Sequence, residues 1–311
     1  MIRRNMLFRR ILPALVSAVA LGWLLSSIEI SALWAALSWK VVVVLLPGLL
    51  VYGAVTLVLE AASLLLLMQS RPADFGLWTA ARIKSASYLL GIVNYALGAG
   101  ALTILLRRRA GVGLGESASV VLLITSVDML ILMIMAAAGT TLMETGTPAV
   151  RAGVFALLVV GFVVGMIVLR MPANLGPIER LRSLTVFEAL RTTPLGRLGK
   201  LAAMRVCFTS SFIALGGVAF AAFGIEVPTS DLVVGMVFVG VVSALPIAVA
   251  GLGTGQIAVV EAFGHVASRE TLLALSLVLT ACMLGLRAGM GLSMAREFTR
   301  EALEETRKTA A

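Results

Sequence analysis

The sequence predicts an all-α polytopic membrane protein with about six full spans and two re-entrant helical hairpins, arranged as two inverted repeats. Composition supports this first: 60% of the 311 residues are hydrophobic, the mean hydropathy is +1.04 and 13% are charged. A soluble domain carries about 25% charged residues. Second, apolar stretches recur at spanning length, about 20 residues. Third, two of these stretches are interrupted by glycines and polar residues.

Six apolar stretches are long enough to cross a bilayer once each. The first follows four arginines and lacks the small-residue cleavage motif of a signal peptide. The predicted spans are Ile11–Ile30, Val41–Met68, Glu116–Ala138, Ala149–Leu169, Leu201–Phe223 and Thr271–Leu292. They form one transmembrane domain over residues 1–294, and residues 295–311 form a charged cytoplasmic tail.

Two further stretches are predicted to enter and leave the membrane on the same side. Ser85–Leu106 contains Asn94 and is expected to turn at Gly98–Gly100, and Asp231–Val266 is expected to turn near Gly251–Gly255. Backbone broken at membrane depth is tolerated only where it is buried in protein or lines a polar cavity. Interrupted segments of this kind point to a transporter's binding site.

The distribution of basic residues predicts the topology. With both hairpins re-entrant, 21 of the 25 basic residues face one side and three the other, and Arg287 lies in a span. The positive-inside rule then places both termini in the cytoplasm. Each half, residues 1–140 and 149–294, runs span, span, hairpin, span. Because each half makes an odd number of net crossings, the halves are predicted to be inverted relative to each other.

The residue inventory argues against several functional classes. One histidine and two cysteines provide neither a zinc site nor a disulfide framework, and we expect no metal and no cofactor. A Ser/His/Asp site would need His265, which lies beside a predicted membrane boundary, so that no enzymatic activity is expected. The net charge of +9 is scattered over the ends of apolar segments. That distribution fits anionic membrane lipids rather than nucleic acid.

Four ionisable residues lie inside predicted membrane segments and are functional candidates, because such groups are costly there. Asp128, near mid-depth, either forms a structural ion pair with Arg287 or handles a headgroup or a proton. Arg287 either snorkels to the interface or binds phosphate through its fork of donors. Glu60 lies within reach of Arg82 or Lys84 and is either structural or functional. Glu261 is either pore-lining or hydrogen-bonded within its hairpin.

The predicted hairpin tips add four candidates. Gln256 and Asn94 either cap freed backbone groups or face a substrate. Gly251 and Gly253 either adopt positive φ or allow the backbone to approach a ligand closely. Helix N-termini at the two turns favour an anionic group between them.

Two regions resemble the lysylphosphatidylglycerol synthase transmembrane region, a flippase-like membrane domain. The stretch from Leu245-Pro-Ile to Ala-Gly-Leu-Gly-Thr-Gly-Gln256, followed by a run that ends in Leu286-Arg287, is similar to the family's second signature. The first signature is matched more loosely by Asn94, Gly98–Gly100, Arg107–Arg109 and Asp128. Many members have glutamate where this chain has Gln256. Only the membrane part of such proteins is expected, since about 17 residues follow the last span.

The resemblance implies translocation of a lipid or a lipid-linked headgroup across the cytoplasmic membrane. We therefore expect a multi-pass flippase whose substrate has an anionic, phospho- or lipid-linked headgroup. The alternative is a non-transporting accessory subunit of a lipid or glycoconjugate biosynthesis complex. Further expected partners are biosynthetic proteins or a second copy of the chain.

Overall fold

The structure is a computed structural model that describes residues 38–68, 74–92, 95–140, 184–244 and 254–308, together with residue 72 and parts of 160–170. The regular structure within these ranges is helical. The helices are α1 (Trp39–Leu67), α2 (Leu77–Gly91), α3 (Tyr95–Ala110), α4 (Leu114–Thr140), α5 (Glu188–Thr192), α6 (Leu195–Ala222), α7 (Thr229–Ala244), α8 (Thr254–Phe263) and α9 (Arg269–Lys308). A short 3-10 turn, Thr185–Phe187, precedes α5.

Four of the described helices are long and apolar enough to cross a membrane. They coincide with the second, third, fifth and sixth predicted spans, and their spanning parts are Trp39–Leu67, Leu114–Ala136, Leu195–Ala222 and Arg269–Met294. The predicted span Ile11–Ile30 lies outside the described residues, as does most of Ala149–Leu169. The total of six spans therefore stays a prediction.

Local hydrogen bonds explain where the spanning helices begin and how they hold polar side chains. Ser38 caps α1, because its Oγ accepts a hydrogen bond from the backbone N–H of Val41 at 3.3 Å. Ser268 does the same for Thr271 at the start of α9. Inside α1 the hydroxyl of Thr56 donates to the carbonyl of Tyr52 at 2.7 Å. Such pairing lets polar groups lie in an apolar helix without leaving a donor unsatisfied.

The first predicted hairpin overlaps the helix pair α2 and α3, which pack against each other, while its re-entry into the membrane stays a prediction. With 15 and 16 residues, each is about 22–24 Å long at 1.5 Å per residue. Each is therefore shorter than the bilayer's hydrocarbon core of about 30 Å. Gly98–Gly100 lie inside α3, so that the turn predicted there is wrong. Asn94 lies outside the described residues.

The glycine at position 98 serves packing instead of turning. A Cβ added at Gly98 would lie 2.7 Å from the Cα of Gly91 in the facing helix, closer than two carbon atoms can approach. Small residues allow this kind of backbone approach between membrane helices. A glycine with positive φ lies just after α3, at Gly111, where φ is 67°, a conformation that favours glycine at a helix C-terminus.

The second predicted hairpin contains the helix pair α7 and α8, which also pack against each other. They have 16 and 10 residues, so that neither reaches spanning length. Residues 245–253 lie between them and outside the described part of the chain, and this gap includes Gly251 and Gly253. The prediction for those two glycines is therefore neither confirmed nor contradicted.

Each hairpin has its own apolar core. The first-hairpin core is built around Ala61, Leu64, Ile83, Leu106, Leu123 and Leu201. The second-hairpin core is built around Leu45, Leu215, Val237, Phe263 and Leu272. Along α1 the second-hairpin core takes the N-terminal half, from Val41 to Tyr52, and the first-hairpin core takes the C-terminal end, from Ala61 to Met68. The two hairpins thus pack at opposite ends of the same spanning helix.

The packing pattern is unchanged when the two halves are exchanged. In each half, the helix pair of the hairpin packs on the span before it and on the span after it. The first helix of each hairpin also packs on the last span of the other half, so that α2 contacts α9 and α7 contacts α4. Corresponding helices begin 156, 152, 159 and 155 residues apart, for α1/α6, α2/α7, α3/α8 and α4/α9. This exchange pattern supports two repeats of one four-helix unit.

The two equivalent spans α1 and α6 run antiparallel along their whole length. A Cβ at Gly48 near the start of α1 would lie 2.8 Å from Val218 near the end of α6. Glu60, near the end of α1, contacts Arg205, near the start of α6. Equivalent helices that run in opposite directions are what inverted repeats require. The inverted repeat and the cytoplasmic termini remain predictions that this geometry supports.

Candidate functional site

A charged cluster lies between the two apolar cores, and it contains three cations and two carboxylates. Its members are Glu60 on α1, Lys84 on α2, Asp128 on α4, Arg205 on α6 and Arg287 on α9. Each of these helices contributes one charge, so that the cluster exists only when all five are packed. Glu60 is seven residues from the end of α1, a depth of about 10 Å at 1.5 Å per residue.

Glu60 forms the link between the first hairpin and the spanning helices. Its Oε2 lies 3.1 Å from the Nζ of Lys84 and 3.6 Å from the Nη1 of Arg205. The prediction that Lys84 is within reach of Glu60 is confirmed, and Glu60 is buried. Arg82, the other predicted partner, lies instead in a surface cleft with Asp74 and Arg109.

Arg205 is the centre of the cluster and is fully buried. Its Nη1 lies 3.5 Å from the Oδ1 of Asp128, and its Nη2 donates to the Oγ of Ser63 and to the carbonyl of Leu59 at 3.2 Å. Its Nε has no hydrogen-bond partner among the described residues. One guanidinium therefore holds α1, α4 and α6 together.

The predicted ion pair between Asp128 and Arg287 is wrong, because Asp128 pairs with Arg205. The sequence interpretation counted Arg205 among the 21 cytoplasmic basic residues. Without Arg205, 20 of the 25 basic residues remain assigned to the cytoplasmic side. Helix α6 begins at Leu195, six residues before the predicted span. Position 205 is consequently well inside the helix, where the antiparallel packing of α6 on α1 turns it towards Glu60.

Arg287 approaches the cluster from the other side, on α9. Its guanidinium carbon lies 6.0 Å from the ring centre of Tyr88, and Tyr52 and Glu60 are its electrostatic neighbours. Lys84 contacts the same ring, and its Nζ lies 5.6 Å from the ring centre of Tyr88. Such distances are typical of cation–π contacts. Arg287 is half-buried, and no carboxylate of the described residues lies within 4.0 Å of it.

The charges in the cluster do not cancel. Lys84, Glu60, Arg205 and Asp128 form a continuous chain of ion pairs with equal numbers of positive and negative groups. Arg287 adds one uncompensated cation, so that the net charge is +1. Buried charges normally persist only when they are paired. A buried region with one cation in excess is suited to an anionic group that completes the balance.

The residues of the second hairpin do not join this cluster. Gln256 is buried in α8, in the second-hairpin core region, and Glu261 is exposed on the surface of the same helix. The interpretation of Glu261 as pore-lining therefore has no support in its surroundings. At the outer end of this hairpin, the Nε2 of His265 lies 3.0 Å from the Oδ2 of Asp231. This exposed pair joins the start of α7 to the segment after α8.

Sequence reasoning missed Arg205 and the two tyrosines, Tyr52 and Tyr88. A signal for Arg205 was present: it is the one charge between Lys200 and Glu226, within an apolar run. The rule that selected Asp128, an ionisable group inside a membrane segment, also selects this residue. No comparable signal marks the tyrosines. Among the described residues, no three His, Cys, Asp or Glu side chains lie together as metal ligands.

Comparisons with known proteins agree with this reading of the chain. The sequence model of the family described as lysylphosphatidylglycerol synthase TM region matches residues 10–291. No curated protein and no solved structure matches the chain. The matched range covers nearly the whole chain and contains all five charges of the cluster, and it confirms the resemblance seen in the sequence. The chain is a multi-pass membrane protein and belongs to the lysylphosphatidylglycerol synthase transmembrane-region family.

Proposed function

We propose that this protein is a lipid flippase that moves an anionic headgroup across the cytoplasmic membrane without changing it chemically. The observation that carries the proposal is the charged cluster, in which Arg287 has no carboxylate partner among the described residues. Intramembrane ionisable groups that face the protein interior typically mark substrate pathways. A membrane lipid is the proposed substrate, and no cofactor is needed.

The arrangement of the helices supports transport. Two pairs of short helices pack at opposite ends of the antiparallel spans α1 and α6. Broken helices in inverted repeats that meet near the bilayer midplane are a recurring transporter architecture, and alternating access arises when one unit rocks against the other. The charged cluster lies at the boundary between the two cores, where such rocking would open a path.

We assign different roles to the charges of the cluster. Arg287 binds the phosphate, because its planar fork of donors matches phosphate oxygens. The buried pairs of Arg205 with Glu60 and Asp128 fix the spanning helices relative to each other. The pair of Lys84 with Glu60 is the connection of the cluster to the first hairpin. Moving that hairpin requires this pair to open, and a bound phosphate would stabilise the released Lys84.

The test is lipid translocation by the purified protein in reconstituted vesicles. We expect Arg287→Gln to lower the rate about tenfold or more, because a hydrogen bond to a charged group contributes about 1.5–3 kcal/mol. Arg287→Lys should retain part of the rate, since lysine keeps the charge but not the fork. Arg269→Gln, an exposed change on the same helix, is the matched control. A wild-type rate in Arg287→Gln at normal abundance would overturn this role.

A non-transporting accessory subunit is the second candidate, and one observation favours it. Four of the five charges in the cluster compensate one another, as a purely structural network would. In that case biosynthetic proteins, or a second copy of the chain, would be the functional partners. Purified protein that moves no lipid, together with loss of a glycoconjugate or lipid product in cells that lack it, would support this candidate over transport.

A further inference from the structure

The charge balance of the cluster also bears on which headgroup it takes. Lys84, Glu60, Arg205 and Asp128 form a neutral chain of ion pairs. Among the described residues, the two carboxylates of the cluster have Lys84 and Arg205 as their cations within 4.0 Å. One cation, Arg287, is therefore left for a ligand. Its neighbours Tyr52 and Tyr88 carry hydroxyl groups that can donate to an oxyanion.

We propose, on the basis of the proposed transport function, that the site selects a headgroup with one net negative charge. Such a headgroup is a phosphodiester that carries no amine. A single phosphodiester brings the buried region to electrical neutrality. Interactions between charges are stronger in a region that excludes water, and uncompensated charges there are costly. Headgroups with a different net charge leave the region either positive or negative, and are therefore disfavoured.

Headgroups that contain an amine meet a specific obstacle. An ammonium group needs a carboxylate, and the Oε2 of Glu60 is already shared between Lys84 and Arg205. Asp128 is the more accessible carboxylate, since 22% of its side chain is exposed. Its Oδ1, however, lies against Arg205, which is fully buried and cannot leave without losing Ser63 and Leu59. Aminoacylated phospholipids, which carry a net positive headgroup, would also raise the net positive charge of the cluster further, and are therefore disfavoured most strongly.

A headgroup with two negative charges meets the opposite obstacle. A phosphomonoester or a pyrophosphate would bring a second charge for which the described cluster holds no further free cation. To pair with the second charge, Lys84 would have to leave Glu60, and the Glu60 carboxylate would then pair with Arg205 alone. Because of this cost, the site should favour simple phospholipids over pyrophosphate-linked carriers. A general preference for anions would not distinguish these two classes.

The experiment compares four fluorescent lipids in vesicles that contain the full-length protein. The probes are phosphatidylglycerol, phosphatidylcholine, lysyl-phosphatidylglycerol and phosphatidic acid, the last at pH 8, where a phosphomonoester carries nearly two charges. We expect phosphatidylglycerol to move about tenfold faster than each of the others, the change expected for a charged hydrogen bond. In Arg287→Gln, the preference for phosphatidylglycerol over phosphatidylcholine should disappear.

The outcomes separate this proposal from the transport proposal. If no lipid moves, transport itself fails. If lipids move and lysyl-phosphatidylglycerol or phosphatidylcholine is as fast as phosphatidylglycerol, transport stands and the charge-balance argument is overturned. Asp128→Asn provides a second test, because it raises the net charge of the cluster from +1 to +2. It should shift the preference towards phosphatidic acid, and an unchanged ranking in well-folded protein would contradict the proposal.

Discussion

The two hairpins are packed in equivalent ways but have different interiors. The first hairpin contributes Lys84 to a buried network that also contains Glu60 and Arg205. In the second hairpin, the buried described residues are apolar apart from Gln256, and the contact between Asp231 and His265 is exposed at the end where α7 begins. The packing scaffold is shared, and of the two hairpins only the first contributes a charge to the cluster.

The proposed opposite orientation of the hairpins predicts an all-or-none result. In a chain with Cys207 and Cys282 replaced by serine, single cysteines at Leu77 and Arg109, at the two ends of the first hairpin, should react with a membrane-impermeant thiol reagent from the cytoplasm only. Cysteines at Thr229 and Ser268 should react from outside only. All four positions are exposed. Labelling of the two ends of one hairpin from different sides would refute re-entry of that hairpin and the inverted repeat.

Removing the centre of the buried network should be the most destabilising single change. Arg205→Met leaves Glu60 and Asp128 without their shared cation, and loss of one partner from a buried ion pair costs about 3–5 kcal/mol. We expect a large fall in abundance and in thermal stability in detergent. Lys200→Gln, an exposed change on the same helix, should have little effect. Adding Asp128→Asn to Arg205→Met should recover part of the stability.

If that double variant regains both stability and full translocation, the buried pairs are scaffolding alone. Recovery of stability without translocation would keep them in the pathway. The comparison with Arg287→Gln then distinguishes paired charges from the unpaired cation. Replacing Arg287 leaves no described carboxylate without its partner.

A smaller effect should distinguish the glycine contacts of the two hairpins. Gly98→Ala places a methyl group against the backbone of Gly91, which cannot move without separating α2 from α3. At Gly235 in the second hairpin, the added methyl group would meet the side chain of Phe263 instead. Overpacking costs about 1–3 kcal/mol, and we expect Gly98→Ala to lower translocation more than Gly235→Ala at similar stability. Equal losses of translocation would argue against a special role of the first hairpin.

The smallest effect is expected at the outer end of the second hairpin. His265→Gln removes the contact with Asp231, and even a charged pair at an exposed position contributes only about 0.2–1 kcal/mol. Thermal stability should change little, and the headgroup preference should stay the same because neither His265 nor Asp231 belongs to the charged cluster. A change in headgroup preference would show that the second hairpin takes part in recognition.

Much of the fold could be predicted because insertion of a segment into the membrane depends mainly on the length and hydropathy of that segment. Spanning length and hydropathy located the spanning parts of α1, α4, α6 and α9 to within a few residues, apart from the earlier start of α6. The breaks in the two remaining stretches were also visible in composition. The place of the first turn was not, since Gly98 and Gly100 suit both a turn and close packing of two helices. Only the partner helix decides between these uses of glycine.

The sequence by itself determined that this is a multi-pass membrane protein with buried charges, and it singled out Glu60, Asp128 and Arg287. It did not determine which charges meet. An ion pair with Arg287 was one of the two interpretations of Asp128. Asp128 instead pairs with Arg205, because α6 lies antiparallel against α1 and turns position 205 towards Glu60. Ion pairing between helices depends on register, direction and rotation, and these are set by the packing of whole helices. For that physical reason, only the tertiary structure shows that Arg287 has no carboxylate within 4.0 Å among the described residues.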